Sequence, residues 1–459
     1  MKLSDYLVNL KRKRVAVAGA GVSNTPLINV LLAAGINTTV CDMRTTEEMG
    51  EAALAFGKLG AKLRLGAGYL DNLEADVIFR TPGLMPHDAA LTEAVSRGAE
   101  LTSEMEVFFE VCPCRIIAVT GSDGKTTTTS LIAEMLKKSE VTAHIGGNIG
   151  APLLHKADSM RPDDAAVLEL SSFQLITMKK GPDIAVVTNL SPNHLDVHRD
   201  MDEYVAAKRN ILIHQKTGGR TVLNLDNEIT RGFADDAPGE VLFFSHNEKV
   251  RDGVYLDGGA IYEAVGGHSE VIIKSADIFL PGAHNADNFM AAFAAVRGLA
   301  DREAMADTAR TFRGVSHRIE LVRELRGVKY YNDSIASSPT RAIAGLHTFD
   351  RKVILIAGGK GKGLSFGELG SEIVSRVKTL VLTGMTAEML RDAVAGAPEY
   401  AGEPEIIIRE DFADAVYTAA GSASEGDVVL LSPACTSFDR FKNFEERGEL
   451  FKEIVKGLI

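Results

Sequence analysis

With 459 residues, 45% of them hydrophobic and 24% charged, the chain has the composition of a soluble globular protein of about three domains at ~150 residues each. That composition excludes disorder, collagen-like repeats and coiled coil, and a net charge of −12 speaks against a nucleic-acid-binding surface, because phosphate backbones repel an acidic protein. Four cysteines (Cys41, Cys112, Cys114, Cys435) cannot make a disulfide framework, and no uncharged apolar run reaches the ~18 residues of a membrane span. The expectation is a cytoplasmic monomer with reduced thiols, no nucleic-acid partner and no membrane partner.

In chain order, the N-terminal MKLSDYLVNLKRKR is basic but has no apolar run after it, so it does not read as a secretory signal. The run Lys11 to Arg14 reads as a solvated turn before a buried strand. Three times an apolar run ends in a glycine-rich turn and gives way to a helical pattern, at residues 15–21, 116–121 and 353–359. Further strands are expected at 37–41, 76–79, 165–170, 184–189, 328–331, 379–383 and 428–431, near-continuous apolar runs that suit sheets covered on both faces. Residues 254–262 read as a hairpin turning through Asp-Gly-Gly. Residues 104–110 look like the link into a second unit, and Arg313-Gly314 the link into a third. The fold class is therefore α/β in three domains: Rossmann-like over 1–104, P-loop ATPase-like over 105–314 and Rossmann-like over 315–459.

The motifs follow the same order. Gly19-Ala-Gly21-Val-Ser-Asn24 matches a dinucleotide turn except that Asn24 stands where the third glycine belongs, with Asp42 ending the next strand where a carboxylate meets a ribose hydroxyl. A nucleotide-like ligand and a plain tight turn both fit. Thr81-Pro-Gly83 is expected along the same sheet edge. Thr120-Gly-Ser-Asp-Gly-Lys-Thr-Thr127 follows a strand and opens a helix, the setting in which loop amides cradle phosphates, a lysine adds a point charge and a threonine hydroxyl reaches Mg²⁺. Its plain alternative is a turn with a solvated lysine. Glu169, inside an apolar strand, is expensive to bury unless paired or bound to metal, and Mg²⁺ is the natural partner near a phosphate loop.

His194 and Asp196 read by default as a cap or turn pair, and Lys208 as an exposed helix lysine. Gly282-Ala-His-Asn-Ala-Asp-Asn288 opens an alanine-rich helix. Asn285 or Asp287 can cap it, and two asparagines one turn apart also suit a base edge. Asn332-Asp-Ser334, the glycine loop with Lys360 and Lys362, and Ser432 to Phe438 each follow a strand, where open α/β sheets bind ligands. The cationic loop suggests a carboxylate ligand, with two solvated lysines as the alternative.

The combination Thr-Gly-Ser-Asp-Gly-Lys-Thr, His194-Leu-Asp196, Tyr204-x-x-Ala-Lys208, Gly282-x-His-Asn-x-x-Asn288 and His317-Arg318 resembles the Mur ligase family of ATP-dependent amide-forming enzymes, over essentially the whole chain. Leu431-Ser-Pro-Ala-Cys-Thr-Ser-Phe-Asp-Arg-Phe-Lys-Asn-Phe-Glu-Glu-Arg-Gly448 is similar to the branch that adds D-glutamate, and the Asp-Asn-Pro-Arg signature of the diaminopimelate- or lysine-adding branch is absent. The resemblance implies UDP-N-acetylmuramoyl-L-alanine and D-glutamate as substrates, ATP and Mg²⁺ as cofactors, and an acyl-phosphate intermediate.

By motif it assigns ATP to Gly121, Ser122, Asp123, Gly124, Lys125, Thr126, Thr127, Asn285, Asn288, Arg318 and Asp333. It assigns metal to Thr126, Glu169, His194 and Lys208, the last as a carbamylated lysine, and catalysis to Lys125, Glu169, His194 and Lys208. The UDP-substrate falls to Ser23, Asp42, Arg44, Gly83, Asn148 and His194, and D-glutamate to Ser337, Lys362, Ser437, Phe438 and Phe444. One departure stands out: many of these ligases read Asn-Asp-Ser-Lys-Ala-Thr-Asn where this chain has Asn332-Asp-Ser-Ile-Ala-Ser-Ser338. Ile335 removes a cation, and Lys362 with the Ser337 hydroxyl is expected to suffice. The rival readings are a different amino-acid-adding member, a P-loop ATPase that is no ligase, and a dehydrogenase built on Gly19 and Gly21.

Overall fold

The computed structural model describes residues 1–193, 197–280, 282–361 and 364–459. Their strands form three sheets, and the chain divides into two compact units, Met1–Phe312 and Arg313–Ile459. No helix among the described residues is long and apolar enough to cross a membrane.

The first sheet is parallel, in the order β3-β2-β1-β4-β5, with β1 Val15–Ala18, β2 Thr38–Asp42, β3 Lys62–Leu65, β4 Val77–Arg80 and β5 Glu100–Thr102. All four residues of β1 are buried, as its apolar run requires, and the chain on either side of it reverses direction across the sheet. The turns after β1, β2 and β4 thus meet at a switch point, where such sheets bind ligands.

The middle sheet runs β14-β13-β12-β11-β10-β9-β6-β8-β7. Its members are β6 Arg115–Thr120, β7 Ala143–Gly147, β8 Ala165–Glu169, β9 Ile184–Val187, β10 Arg220–Asn224, β11 Glu240–Ser245, β12 Gly253–Asp257, β13 Ala260–Val265 and β14 His268–Lys274. β12 still pairs parallel with β11, while β13 pairs antiparallel with both β12 and β14, and the expected hairpin turns at Gly258 and Gly259. β6 lies between β8 and β9, so Glu169 and Val187 flank the loop that leaves it.

The residues expected as a mere link, 104–110, form the helix Glu104–Val111. Met105, Val107, Phe108 and Val111 enter one apolar core with Val17 and Phe79 of the first sheet and Ile116 and Leu168 of the middle one. Burying each such side chain contributes about 1.5–3 kcal/mol, which fuses the two sheets into a single unit. The other face of the middle sheet is covered by the helices Lys125–Lys138 and Ala283–Val296.

In the second unit the order is β15-β16-β20-β17-β18-β19, with β15 Glu320–Leu325, β16 Val328–Asn332, β17 Val353–Gly358, β18 Val377–Thr383, β19 Glu405–Ile408 and β20 Val428–Leu431. β15 alone is antiparallel. Apolar clusters cover both faces, so Asp333, Gly359 and Ser432 emerge side by side at the carboxyl ends of neighbouring strands.

Candidate functional site

The loop after β6 is a built cradle. Gly121 (φ +148°) and Gly124 (φ +76°) hold backbone that favours glycine, and a Cβ on Gly121 would lie 1.9 Å from Thr188 Oγ1. The Ser122 amide donates to the Asn189 carbonyl at 2.8 Å, and the Asp123 amide to Asn189 Oδ1 at 2.9 Å. The Ser122 hydroxyl meets the Ser191 carbonyl at 2.9 Å and the Tyr204 hydroxyl at 3.0 Å. Thr188, Asn189 and Ser191 are not singled out by the sequence reading, and Tyr204 enters it only as part of the Tyr204-x-x-Ala-Lys208 motif. Their signal was position, since residues after β9 must border the loop after β6. Lys125 folds back on its own loop, donating to the carbonyls of Gly121 (3.0 Å) and Ser122 (2.8 Å). Thr127 stands one residue further into the helix.

At the mouth of this loop the structure gathers several expected residues. Thr126 donates to Glu169 Oε2 at 2.7 Å, and Asn148 Nδ2 donates to Glu169 Oε1 at 2.9 Å. Glu169 is only 2% exposed, so these two donors offset the cost of burying its charge. Asn148, expected with the UDP-substrate, is therefore joined to the carboxylate expected to bind metal. Asn288 is buried beside Gly124, with Oδ1 3.4 Å from the Thr128 hydroxyl. Asn285 opens the same helix, but its N-cap is Gly282 with no side-chain cap, and Asp287 instead pairs with His246 Nδ1 at 3.0 Å. The capping reading is corrected for Asp287, whose partner is distant in sequence.

Lys208 is the clearest correction. Read by default as exposed, it is 2% exposed, donating to the Gly121 carbonyl at 2.8 Å and the Thr120 hydroxyl at 3.2 Å. Its helix, Met201–Ile213, buries Tyr204, Lys208, Ile211 and Leu212, the spacing of one helical face. Burial, then the Lys125 charge, holds its amine well below the ordinary lysine value. His194 lies outside the described residues.

At the first sheet, Asp42 is spent on shaping the glycine turn. It accepts from the Ala20 amide at 2.8 Å and from both Nε and Nη2 of Arg44 at 2.8 Å. The Arg44 guanidinium draws its carboxyl down to about 2. Ser23 stands at the N-cap position of the helix Asn24–Ala33 without a side-chain capping bond, and Thr81 packs against Gly19, where a Cβ would meet Thr81 Cγ2 at 2.6 Å. Gly83 is exposed on the same edge.

In the second unit, Asp333 is buried, accepting from the Ser432 hydroxyl at 2.7 Å and the Ile319 amide at 3.3 Å. Burial pushes its carboxyl up to about 7. Arg318 is exposed nearby in sequence, Ser437 is buried, Phe438 is 64% exposed, Ser337 is half-buried, and Phe444 sets its ring edge-on to His317. Arg447, not singled out, is 2% exposed and donates to Ser334 and to the Cys435 carbonyl. Lys362 lies outside the described residues. A raised carboxyl favours folding fully below its unfolded value, a benefit lost as pH rises through about 7. Asp333→Asn, neutral throughout, should therefore gain melting temperature relative to wild type, by a few degrees, between about pH 5 and about pH 8; melting curves across that range check it.

A strand, a glycine-and-lysine loop and a helix at the switch point of a largely parallel sheet define a P-loop-type α/β nucleotide-binding protein. Residues 119–296 match the Mur ligase middle domain, and residues 317–435 match the Mur ligase, glutamate ligase domain. The chain belongs to the Mur ligase family. It is 50% identical to the UDP-N-acetylmuramoylalanine--D-glutamate ligase of Acetivibrio thermocellus, covering 100% of this chain and 99% of that one. It is 49% identical to the protein so named from Clostridium novyi, covering 98% of each. Its fold is similar to the UDP-N-acetylmuramate-alanine ligase structure from Thermotoga maritima, with a TM-score of 0.54 at 18% identity over 97% of this chain and 99% of that one.

Proposed function

We infer that this chain joins D-glutamate to UDP-N-acetylmuramoylalanine with consumption of ATP, in the synthesis of a peptidoglycan precursor. The observation that carries the reading is the phosphate loop with Thr126 and Glu169 hydrogen-bonded at its mouth, in a chain similar from end to end to ligases of that name. Among the described residues no three His, Cys, Asp or Glu side chains gather to hold a metal. A carboxylate with a hydroxyl nonetheless fits Mg²⁺, which keeps several waters and shares phosphate oxygens. Thr126 and Glu169 would hold it, with His194 and Lys208 assigned by resemblance. When bound, the ion offsets negative charge where two anions meet.

A carboxylate resists amide formation because its leaving group would be oxide. In the reading proposed, a carboxylate oxygen of the alanyl group attacks the γ-phosphorus, forming an O–P bond as the β–γ bridge breaks and ADP leaves. Lys125 and the loop amides hold the phosphates through this transfer. The D-glutamate nitrogen then attacks the acyl carbon, phosphate departs from the tetrahedral adduct, and the nitrogen sheds a proton. Arg44, Ser23 and Gly83 hold the UDP end, with Asp42 fixing Arg44 and the glycine turn behind them, and Ser337, Lys362, Ser437, Phe438 and Phe444 receive D-glutamate. Burial supports carbamylation of Lys208, since the neutral amine is the form that adds to carbon dioxide, making an N–C bond and releasing a proton.

The test is incubation with ATP, Mg²⁺, UDP-N-acetylmuramoylalanine and a panel of amino acids, with mass spectrometry of the product and an assay for ADP. D-glutamate alone should give product, and ADP should accumulate only with both co-substrates present. Product with another amino acid would move the chain to a different branch, and steady ADP release without co-substrates would favour a non-ligase ATPase.

A further inference from the structure

Arg80 ends β4 and is 1% exposed, the bulkiest fully buried side chain among the described residues. Its Nη1 donates within its own loop, to the carbonyls of Pro82 (3.3 Å) and Leu84 (3.1 Å). Its Nη2 crosses to the middle sheet, donating to the Phe173 carbonyl at 2.7 Å and the Thr177 hydroxyl at 3.1 Å. Among the described residues no carboxylate lies within ion-pair distance of it. Glu106, whose charge it feels, accepts instead from the hydroxyls of Ser103 (3.1 Å) and Thr177 (3.3 Å). Burial draws the guanidinium down to about 10. A buried charge without a counter-ion is costly, and an apolar side chain of similar volume would sit there at lower cost. Stability does not account for Arg80.

What it holds does. One end grips the 81–84 loop, which carries Gly83 and is pressed on its other side by the Gly19 turn. The other end grips the turn that follows Glu169 at the end of β8. That turn is itself fixed: Ser172 Oγ lies 2.8 Å from His198 Nε2, and the Phe173 ring stacks on the His198 ring at 5.2 Å. A cleft lined by Ser23, Asn24, Arg80, Pro82, Gly147 and Gln174 lies along this seam.

We propose that Arg80 is a positioning residue of the ligase reaction, locking the 81–84 loop to the turn after Glu169 so that the UDP-sugar cleft and the phosphate loop keep one register. This rests on the ligase reading of the preceding subsection. It touches no substrate; it sets the wall against which the sugar nucleotide lies. The span requires the planar fork of arginine, because one ammonium cannot reach carbonyls on both sides at once.

Steady-state kinetics of the full chain test it. Arg80→Gln should raise the KM for UDP-N-acetylmuramoylalanine by about tenfold, as expected for losing charge-assisted bonds, while the KM values for ATP and D-glutamate stay within about twofold. Arg80→Lys should not restore it. Thr177→Val, which keeps the Arg80 charge and removes only the hydroxyl that accepts from Arg80 and donates to Glu106, should raise the same KM by about threefold. An unchanged KM for the sugar nucleotide in both Arg80→Gln and Thr177→Val, an equal rise in all three KM values, or full rescue by lysine would each overturn the proposal. Failure of the ligase reading looks different, because the wild-type chain itself would then form no product.

Discussion

Lys208→Met should melt higher than wild type and form almost no product. Methionine is likewise unbranched, one atom shorter, and has no charge to bury. The bonds lost are covered, because the Gly121 carbonyl still receives Lys125 at 3.0 Å and the Thr120 hydroxyl still donates to the Leu170 carbonyl at 2.8 Å. Desolvation, reinforced by Lys125, holds the native amine below its unfolded value of 10.5. Between those two values the unfolded chain binds more protons than the native one, so wild-type stability rises with pH and the advantage of methionine shrinks toward pH 10.5. At neutral pH a gain of roughly 2–5 °C is expected. Turnover should fall by about a thousandfold or more, as for loss of a group acting directly on the transferring phosphoryl. Calorimetry and the product assay check the two halves separately. A lower melting temperature would mean that Lys208 contributes net stability, and retained turnover would remove it from the chemistry. Strain or charge stored at a functional position, relieved by a substitution that ends function, is the usual trade between stability and activity.

Much of this architecture is legible from the chain, and the reasons are physical. Apolar runs at β1, β6, β17 and β20 fix the strands, because buried parallel strands have no polar face to blur the pattern. The loop from Gly121 to Thr126 is legible because the left-handed backbone, the lysine and the helix start are contiguous. Glu169 is legible as a buried carboxylate, but not its pairing with Asn148, which lies just past the end of β7. Lys208 shows how a signal can be present and overridden: Tyr204, Ile211 and Leu212 mark its helical face as buried, yet a lysine on such a face is rare enough to read as solvated. Arg80, Asp287 and Glu104 depend on partners in other elements, and Glu104, which accepts from the Leu154 amide at 3.1 Å and is pushed up to about 7 by burial, gives no local hint of it. The helix 104–111 is misread as a link for the same reason, since its buried face is created by two sheets that the sequence does not place together.

Gly121→Ala should weaken nucleotide binding by about a hundredfold while leaving most of the fold in place. An alanine Cβ would stand 1.9 Å from Thr188 Oγ1, 3.1 Å from the Asn189 carbonyl oxygen and 3.2 Å from the Asn189 nitrogen. Rotating Thr188 relieves only the first contact, and that hydroxyl is already committed to the Asp123 carbonyl at 2.6 Å. The other two contacts are backbone, so the loop itself must move. Moving it also breaks the Ser122 and Asp123 amide bonds to Asn189, which aim the loop, and draws Lys125 with them. A displacement of ~1 Å is enough to lose about a hundredfold in a phosphate cradle. The left-handed backbone adds about 1–2 kcal/mol of strain. Gly21→Ala is the matched control: its Cβ would meet nothing within 4 Å, and its backbone is not left-handed. It should melt with the wild type, so any rise in its KM for UDP-N-acetylmuramoylalanine reports a ligand lying against that turn rather than damage to it. ATP binding by calorimetry separates the two variants. Unimpaired nucleotide affinity in Gly121→Ala would mean that the loop after β6 is an ordinary strand-to-helix turn and that phosphates are held elsewhere.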